Sequence, residues 1–205
     1  MGCRMLLIRH GETVWNKDAK LQGQTDIPLS EKGIQQAIAL SKRLAGWKIE
    51  AVYASSLSRA IKTAGIIAEP HLRQVQILPD LQELNFGDWE GLTFKEIQQN
   101  YSDLSKTWWS NPLETRIPGG ETLDEMAKRS NQAIKDIILK HSDQTVAVVA
   151  HGGTIRSIVG TVLGIDLNQY WKLRQDNASL SIVHFYGWDK GILELYNDCS
   201  HLEMI

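Results

Sequence analysis

The chain has 205 residues, 42% hydrophobic and 22% charged, the make-up of an ordinary globular protein. One domain of this size buries roughly 70% of its unfolded surface, so a core forms without disulfide or metal staples. The formal net charge of -2 speaks against nucleic acid or a membrane surface as partner, since both call for a basic patch.

Cys3 and Cys199 stand near opposite ends with no metal-type spacing, and read as free thiols of a reducing compartment. The apolar run before Arg9 is too short for a secretory signal. Leu6 stands where a myristoylation motif wants Ser or Thr, and no stretch approaches the ~20 apolar residues of a membrane span. A cytoplasmic location is the expectation, with monomer and homodimer both open.

Leu6-Leu7-Ile8 is a short apolar run ending in Arg9, His10 and Gly11. That is the pattern of a strand buried on both faces, whose end reaches the carboxyl edge of a parallel sheet. Ser30 reads as the N-cap of a helix with apolar or small residues at Ile34, Ala37, Ile38, Ser41, Leu44 and Ala45, stopped by Gly46. Ala51-Val52-Tyr53-Ala54 is a second strand, running into a helix that opens at 55–59 and is closed by Pro70. A third strand is predicted over 75–78. Residues 84–120 hold Gly87, Gly91, Pro112, Pro118, Gly119, Gly120 and three of the seven tryptophans, Trp89, Trp108 and Trp109. They read as an insertion with short helices, a lid over the sheet edge.

Thr122 and Glu125 make a capping box for the clearest helix, apolar at Leu123, Met126, Ala127, Ala133, Ile134, Ile137 and Ile138. Val146-Ala147-Val148-Val149 is another doubly buried strand, and it too ends in a histidine and glycines, His151-Gly152-Gly153. Ile155, Ile158, Val159, Val162 and Leu163 mark the helix that follows. Residues 180–185 and 192–196 alternate around a turn and predict an antiparallel pair at the sheet's edge. Strands alternating with helices give an α/β sandwich, and 1–205 reads as one domain.

Two buried strands thus end in His-Gly. As neighbours in a parallel sheet they would bring His10 and His151 to one crevice. The helix starting at Gly152 would point amide N–H groups and a positive dipole end into the same place. Arg9 adds a cation, and Arg59 can add another. Such a cluster is mutually repulsive unless a dianion fills it, each close opposite-charge contact being worth ~4 kcal/mol before desolvation.

Leu7-Ile8-Arg9-His10-Gly11-Glu12-Thr13-Val14-Trp15-Asn16 resembles the signature of the histidine phosphatase superfamily, the phosphoglycerate mutase-like proteins. Ser55-Ser56-Leu57-Ser58-Arg59-Ala60 resembles its second arginine motif, and residues 81–91 resemble its acidic loop. Pro118-Gly119-Gly120-Glu121-Thr122 and Ala150-His151-Gly152-Gly153 complete a set of five blocks in family order.

The resemblance implies a three-layer α/β/α sandwich with a mostly parallel central sheet and an antiparallel edge strand. It also implies roles. His10 would attack phosphorus in line to give a phosphohistidine, with its other ring nitrogen held by a backbone carbonyl. Arg9, Arg59 and His151 would clamp the phosphoryl oxygens, helped by Asn16 and the Gly152 N–H. Glu83 matches the proton donor to the leaving group; Glu90 is its rival, but Trp89 and Gly91 around it look structural. Gln22 and Gly23, on the loop after the first strand, would touch substrate. No metal or other cofactor is implied: zinc ligation by His10, His151 and Glu83 has no supporting spacing. A serine hydrolase would need a Gly-x-Ser-x-Gly elbow, which is absent. His71, His141, His184 and His201 receive no role.

The expected activity is hydrolysis of a small phosphomonoester. The compact 84–120 segment and residues 170–179 look like α-ribazole phosphatases of cobalamin assembly, and also like broad-specificity or phosphoserine phosphatases. Trp108 could stack on a flat base or anchor the segment. A bisphosphoglycerate-dependent phosphoglycerate mutase and a non-catalytic phospho-ligand binding module are the other readings. The mutases have a larger closing insertion, and a binding module need not retain every catalytic side chain.

Overall fold

The structure is a computed structural model that describes residues 2–203. Strand β1 (Cys3–Arg9) carries Met5, Leu6, Leu7 and Ile8, all wholly buried. Their side chains alternate between the two faces of the sheet. Met5 and Leu7 join one apolar cluster, whereas Leu6 and Ile8 join the other. This explains an unbroken hydrophobic run where a half-exposed strand would alternate.

The chain continues through α1 (Val14–Lys17), α2 (Glu31–Leu44), β2 (Ala51–Ala54), α3 (Ser58–Ala68) and β3 (Val75–Ile77). Next come α4 (Phe94–Asn100), α5 (Ser102–Ser110), α6 (Leu123–Lys140), β4 (Thr145–Ala150), α7 (Gly152–Val162), β5 (Leu180–Phe185) and β6 (Gly191–Asp198). The sheet order is β3-β2-β4-β1-β5-β6; β1 to β4 are mutually parallel, β5 runs against them, and β6, antiparallel to β5, runs with them.

Helices α2 and α3 cover one face through Leu40, Leu44, Ala60, Ala64 and Ile67. Helices α6 and α7 cover the other through Ile134, Ile137, Ile155, Ile158 and Val159. A third cluster, built on Phe86, Trp89, Ile97, Trp108 and Met126, holds the 84–120 segment together. Each fully buried aliphatic or aromatic side chain contributes about 1.5–3 kcal/mol, so β1 and β4 are stiff supports for whatever sits at their ends. No helix among the described residues is long and apolar enough to cross a membrane.

The caps read from the sequence are present. Ser30 Oγ accepts from Gly33 N–H, and Thr122 and Glu125 satisfy each other's backbone donors. The antiparallel pair expected at the sheet's edge is present as β5 and β6, with β5 against β1. One detail was not expected: helix α1 is too short for periodicity to reveal, and its Thr13–Asn16 capping box is what makes it.

The turn after β1 packs tightly against the start of α2. A Cβ at Gly33 would lie 2.0 Å from the Glu12 carbonyl oxygen. Gly-to-Ala in a helix ordinarily stabilises by about 1 kcal/mol; here the sign should reverse. Gly33→Ala is expected to cost about 1–3 kcal/mol in urea unfolding, and a variant as stable as the parent would show that this contact yields.

Candidate active site

The parallel register pairs Arg9 with Ala150, so the residues that follow, His10 and His151, stand side by side at the carboxyl edge. Their ring centroids are 5.2 Å apart. His10 Nδ1 lies 2.7 Å from the Gly11 carbonyl oxygen. A carbonyl can only accept, so Nδ1 carries the proton and Nε2 keeps its lone pair. Burial pushes the His10 pKa well below 6.5, with Arg59 and then Arg9 adding to the effect. His151 is shifted the same way, by burial, then Arg59, His10 and Arg9. Both rings are therefore neutral, and the charge on this cluster comes from the arginines alone.

Arg59 is completely buried on α3 and donates to the Thr25 carbonyl at 2.8 Å and the Gly23 carbonyl at 2.7 Å. Arg9 donates to the Gln175 carbonyl. Neither guanidinium forms an ion pair, and the Nε of each is buried with no partner in the protein. Burial lowers the Arg9 pKa to about 10, with Arg156 the next cause; it stays charged at neutral pH. Removing one partner from a buried ion pair costs about 3–5 kcal/mol, so the buried Arg59 and the half-buried Arg9, neither with an ion-pair partner among the described residues, mark a place where an anion belongs.

Glu83 lines the same cavity, whose volume is about 140 Å³. Its carboxylate accepts from Leu84 N–H at 2.9 Å, Gly153 N–H at 2.9 Å and Thr154 N–H at 3.2 Å. Two of the α7 N-terminal amides expected to face phosphate are thus taken by Glu83, leaving Gly152 N–H at the cavity wall. Glycine at 153 serves this contact, because a Cβ there would lie 2.4 Å from Glu83 Oε1.

Asn16, Gln22 and Gly23 also line the cavity. Asn16 Oδ1 accepts from Thr13 and from Asn177 Nδ2, which turns its Nδ2 donor outward. Gln22 is buried with Oε1 unpartnered. Gly23 adopts φ +54°, which its lack of a side chain permits, and presents its carbonyl to Arg59. No group of three or more His, Cys, Asp or Glu side chains among the described residues is arranged to hold a metal.

The model of the histidine phosphatase superfamily (branch 1) matches residues 5–198. The chain belongs to that superfamily. Among its curated relatives is a metal-independent phosphoserine phosphatase of Arabidopsis thaliana, 37% identical over 98% of this chain and 84% of that one. Among solved structures, YhfR of Bacillus stearothermophilus superposes with a TM-score of 0.91 at 32% identity, covering 98% of this chain and all of the other. An α-ribazole phosphatase from Shigella flexneri superposes with a TM-score of 0.85 at 27% identity, covering 96% of each. Phosphatase activity follows from this membership.

In this histidine phosphatase, several supporting residues were not legible as functional. Ser55 Oγ lies 2.8 Å from His151 Nε2 and already accepts from Leu57 N–H. In the tautomer in which the Ser55 hydroxyl donates to Nε2, the His151 proton sits on Nδ1, a buried atom without a partner. Arg129 donates to the Gln82 and Glu83 carbonyls and pairs with Glu121 at 2.6 Å, fixing the backbone that carries Glu83. Glu90 accepts from the backbones of Gln24, Thr25 and Phe86. It staples the loop that Arg59 grips, in keeping with a structural role.

Trp108 lies outside the phosphate cavity. It is 3% exposed, with its ring against Phe86, Trp89 and Trp109 at 5.9, 5.7 and 5.0 Å. These contacts anchor the segment, while Trp108 also forms part of the wall of the aromatic recess beside the cavity.

Two outcomes are expected. Unfolded histidines take up protons as pH falls through about 6.5, whereas His10 and His151 in the fold resist protonation until well below it. The unfolded state then binds more protons, and stability drops below about pH 6.5 by up to about 2.7 kcal/mol per pH unit for the two rings. His10→Gln should remove about half of that slope in denaturant titrations between about pH 5 and 6.5; an unaltered slope would mean that His10 is charged in the fold. Ser55→Ala should lower kcat/KM on a simple phosphomonoester roughly tenfold through the lost ring proton position, and full activity would remove Ser55 from the site.

Proposed function

We propose that the chain hydrolyses a small phosphomonoester through a phosphohistidine on His10. The observation that supports this is a buried Arg59 and a half-buried Arg9, each with a buried unpartnered Nε and no ion-pair partner among the described residues, beside a histidine whose Nε2 lone pair is free. Nε2 attacks phosphorus as the bond to the leaving oxygen breaks. Arg9, Arg59, His151 Nδ1–H, Asn16 Nδ2 and Gly152 N–H receive the non-bridging oxygens, whose charge they stabilise better in the transition state than water would. Glu83 gives its proton to the departing alkoxide. The resulting carboxylate then takes a proton from water as that water attacks phosphohistidine, which returns His10 to its neutral form.

The leaving side distinguishes candidate substrates. α-Ribazole 5′-phosphate would place a flat base against the aromatic recess of about 80 Å³ beside the cavity, lined by Phe86, Phe94, Trp109 and Trp171. A phosphoserine-like ester would stay within the main cavity. The small main cavity favours the compact ester. Bisphosphoglycerate-dependent mutation of 3-phosphoglycerate uses the same chemistry, but needs the phosphoenzyme shielded from water by more than the 84–120 segment.

His10→Ala should abolish hydrolysis of p-nitrophenyl phosphate. Glu83→Gln should slow it about 10²–10⁴-fold and let a phosphoryl group accumulate on His10, detected by mass spectrometry after rapid quenching. Survival of hydrolysis in His10→Ala would end the nucleophile assignment. Mutase turnover outpacing hydrolysis would replace the phosphatase reading.

A further inference from the structure

The sequence contains nine arginines, and eight of them have a hydrogen-bonded or ionic partner in the protein. Arg4, Arg43, Arg73, Arg116, Arg129 and Arg174 pair with acids, and Arg9 and Arg59 with carbonyls. Arg156 has none. It is half-buried with its Nε fully enclosed and unsatisfied, and it lines both the phosphate cavity and the aromatic recess.

Its place on α7 is informative. Arg156 follows Gly152 by four residues, so it stands on the same helix face one turn on, a rise of about 6 Å. That is a distance a three-carbon backbone spans, measured from a phosphoryl group held at the helix start. Tyr170 lines the cavity beside it, and its hydroxyl makes no hydrogen bond within the protein. Burial and Glu83 raise the Tyr170 pKa, so it is a neutral donor. Lys20 adds a fourth cation-bearing side chain to the wall, after Arg9, Arg59 and Arg156. Glu83 is the sole carboxylate in the lining, and its oxygens are already held by backbone amides.

We propose that Arg156, with the Tyr170 hydroxyl, is a second anion subsite that selects phosphomonoesters whose leaving group carries a carboxylate. The guanidinium fork offers two parallel N–H donors to such a group, the geometry in which arginine binds carboxylates best. Phosphate occupies the floor at Arg9 and Arg59, and the carboxylate faces the mouth at Arg156. This assignment rests on the phosphatase reading for turnover, but not for binding.

A matched pair tests it. 3-Phosphoglycerate and glycerol 3-phosphate differ chiefly in a carboxylate against a hydroxymethyl group. The parent enzyme should prefer the former in kcat/KM by about ten- to hundredfold, the equivalent of a charge-assisted hydrogen-bonded pair. Arg156→Gln should collapse that ratio towards one, and Arg156→Lys should recover part of it. A ratio that survives Arg156→Gln, including through an equal fall for both esters, overturns the subsite. Calorimetric binding of the two esters to His10→Ala, with and without Arg156→Gln, gives the same comparison without turnover. Failure of hydrolysis therefore counts against the phosphohistidine mechanism, and failure of the binding preference against Arg156.

Discussion

Two guanidiniums, Arg59 buried and Arg9 half-buried, with no ion-pair partner among the described residues, are the constraint to which the rest of this structure answers. Arg9 and Arg59 are held in place by the carbonyls of Gln175, Thr25 and Gly23, which orient a cation but do not neutralise it. A carboxylate partner would relieve the cost and destroy the site, because it would occupy the position meant for phosphate. The fold instead carries the cost on stiff supports. β1 and β4 are buried on both faces, and their ends cannot drift apart to dilute the charge.

Burial first, and then the same arginines, decide the state of the two histidines. Both effects hold His10 and His151 neutral, and the backbone oxygen of Gly11 fixes the His10 proton on Nδ1. The one acid admitted to the cavity, Glu83, is fastened to the first turn of α7 through the amides of Gly153 and Thr154. That helix end thus orients the acid with two donors and offers phosphate a third. Arg129 and Glu121 brace the loop behind it. Further out the wall turns aromatic, and Arg156 stands at the junction between the polar cavity and the aromatic recess.

Much of this was legible in the chain itself. The runs 6–8 and 146–149 have no polar residue to spare for solvent, so they had to be interior strands. Each ends in His-Gly, and parallel pairing then brought the two histidines together. Arg9, Arg59 and Glu83 were found by their order among the blocks. Ser55, Arg129 and Arg156 were not, for a common reason. Ser55 meets His151 across 96 residues, and Arg129 reaches Glu83 across 46. A serine before a helix or an arginine on a helix face carries no local mark of such a contact. For Trp108 the sequence left anchoring and stacking both open, because a tryptophan in a lid-like segment carries no local mark of its neighbours; in the fold it is part of the core that holds 84–120 together and also lines the recess.

What the residue order determined by itself was therefore the alternation of elements and the kinds of side chain at strand ends, because hydrophobic period and capping are local properties of the chain. What only the tertiary structure decided was the occupancy of each donor and acceptor. The amides of α7 are shared between Glu83 and the cavity, the His10 proton is placed by the Gly11 carbonyl, and Arg156 alone among the arginines is left without a partner. Hydrogen bonds are satisfied between groups that are close in space, and closeness in space is what folding supplies.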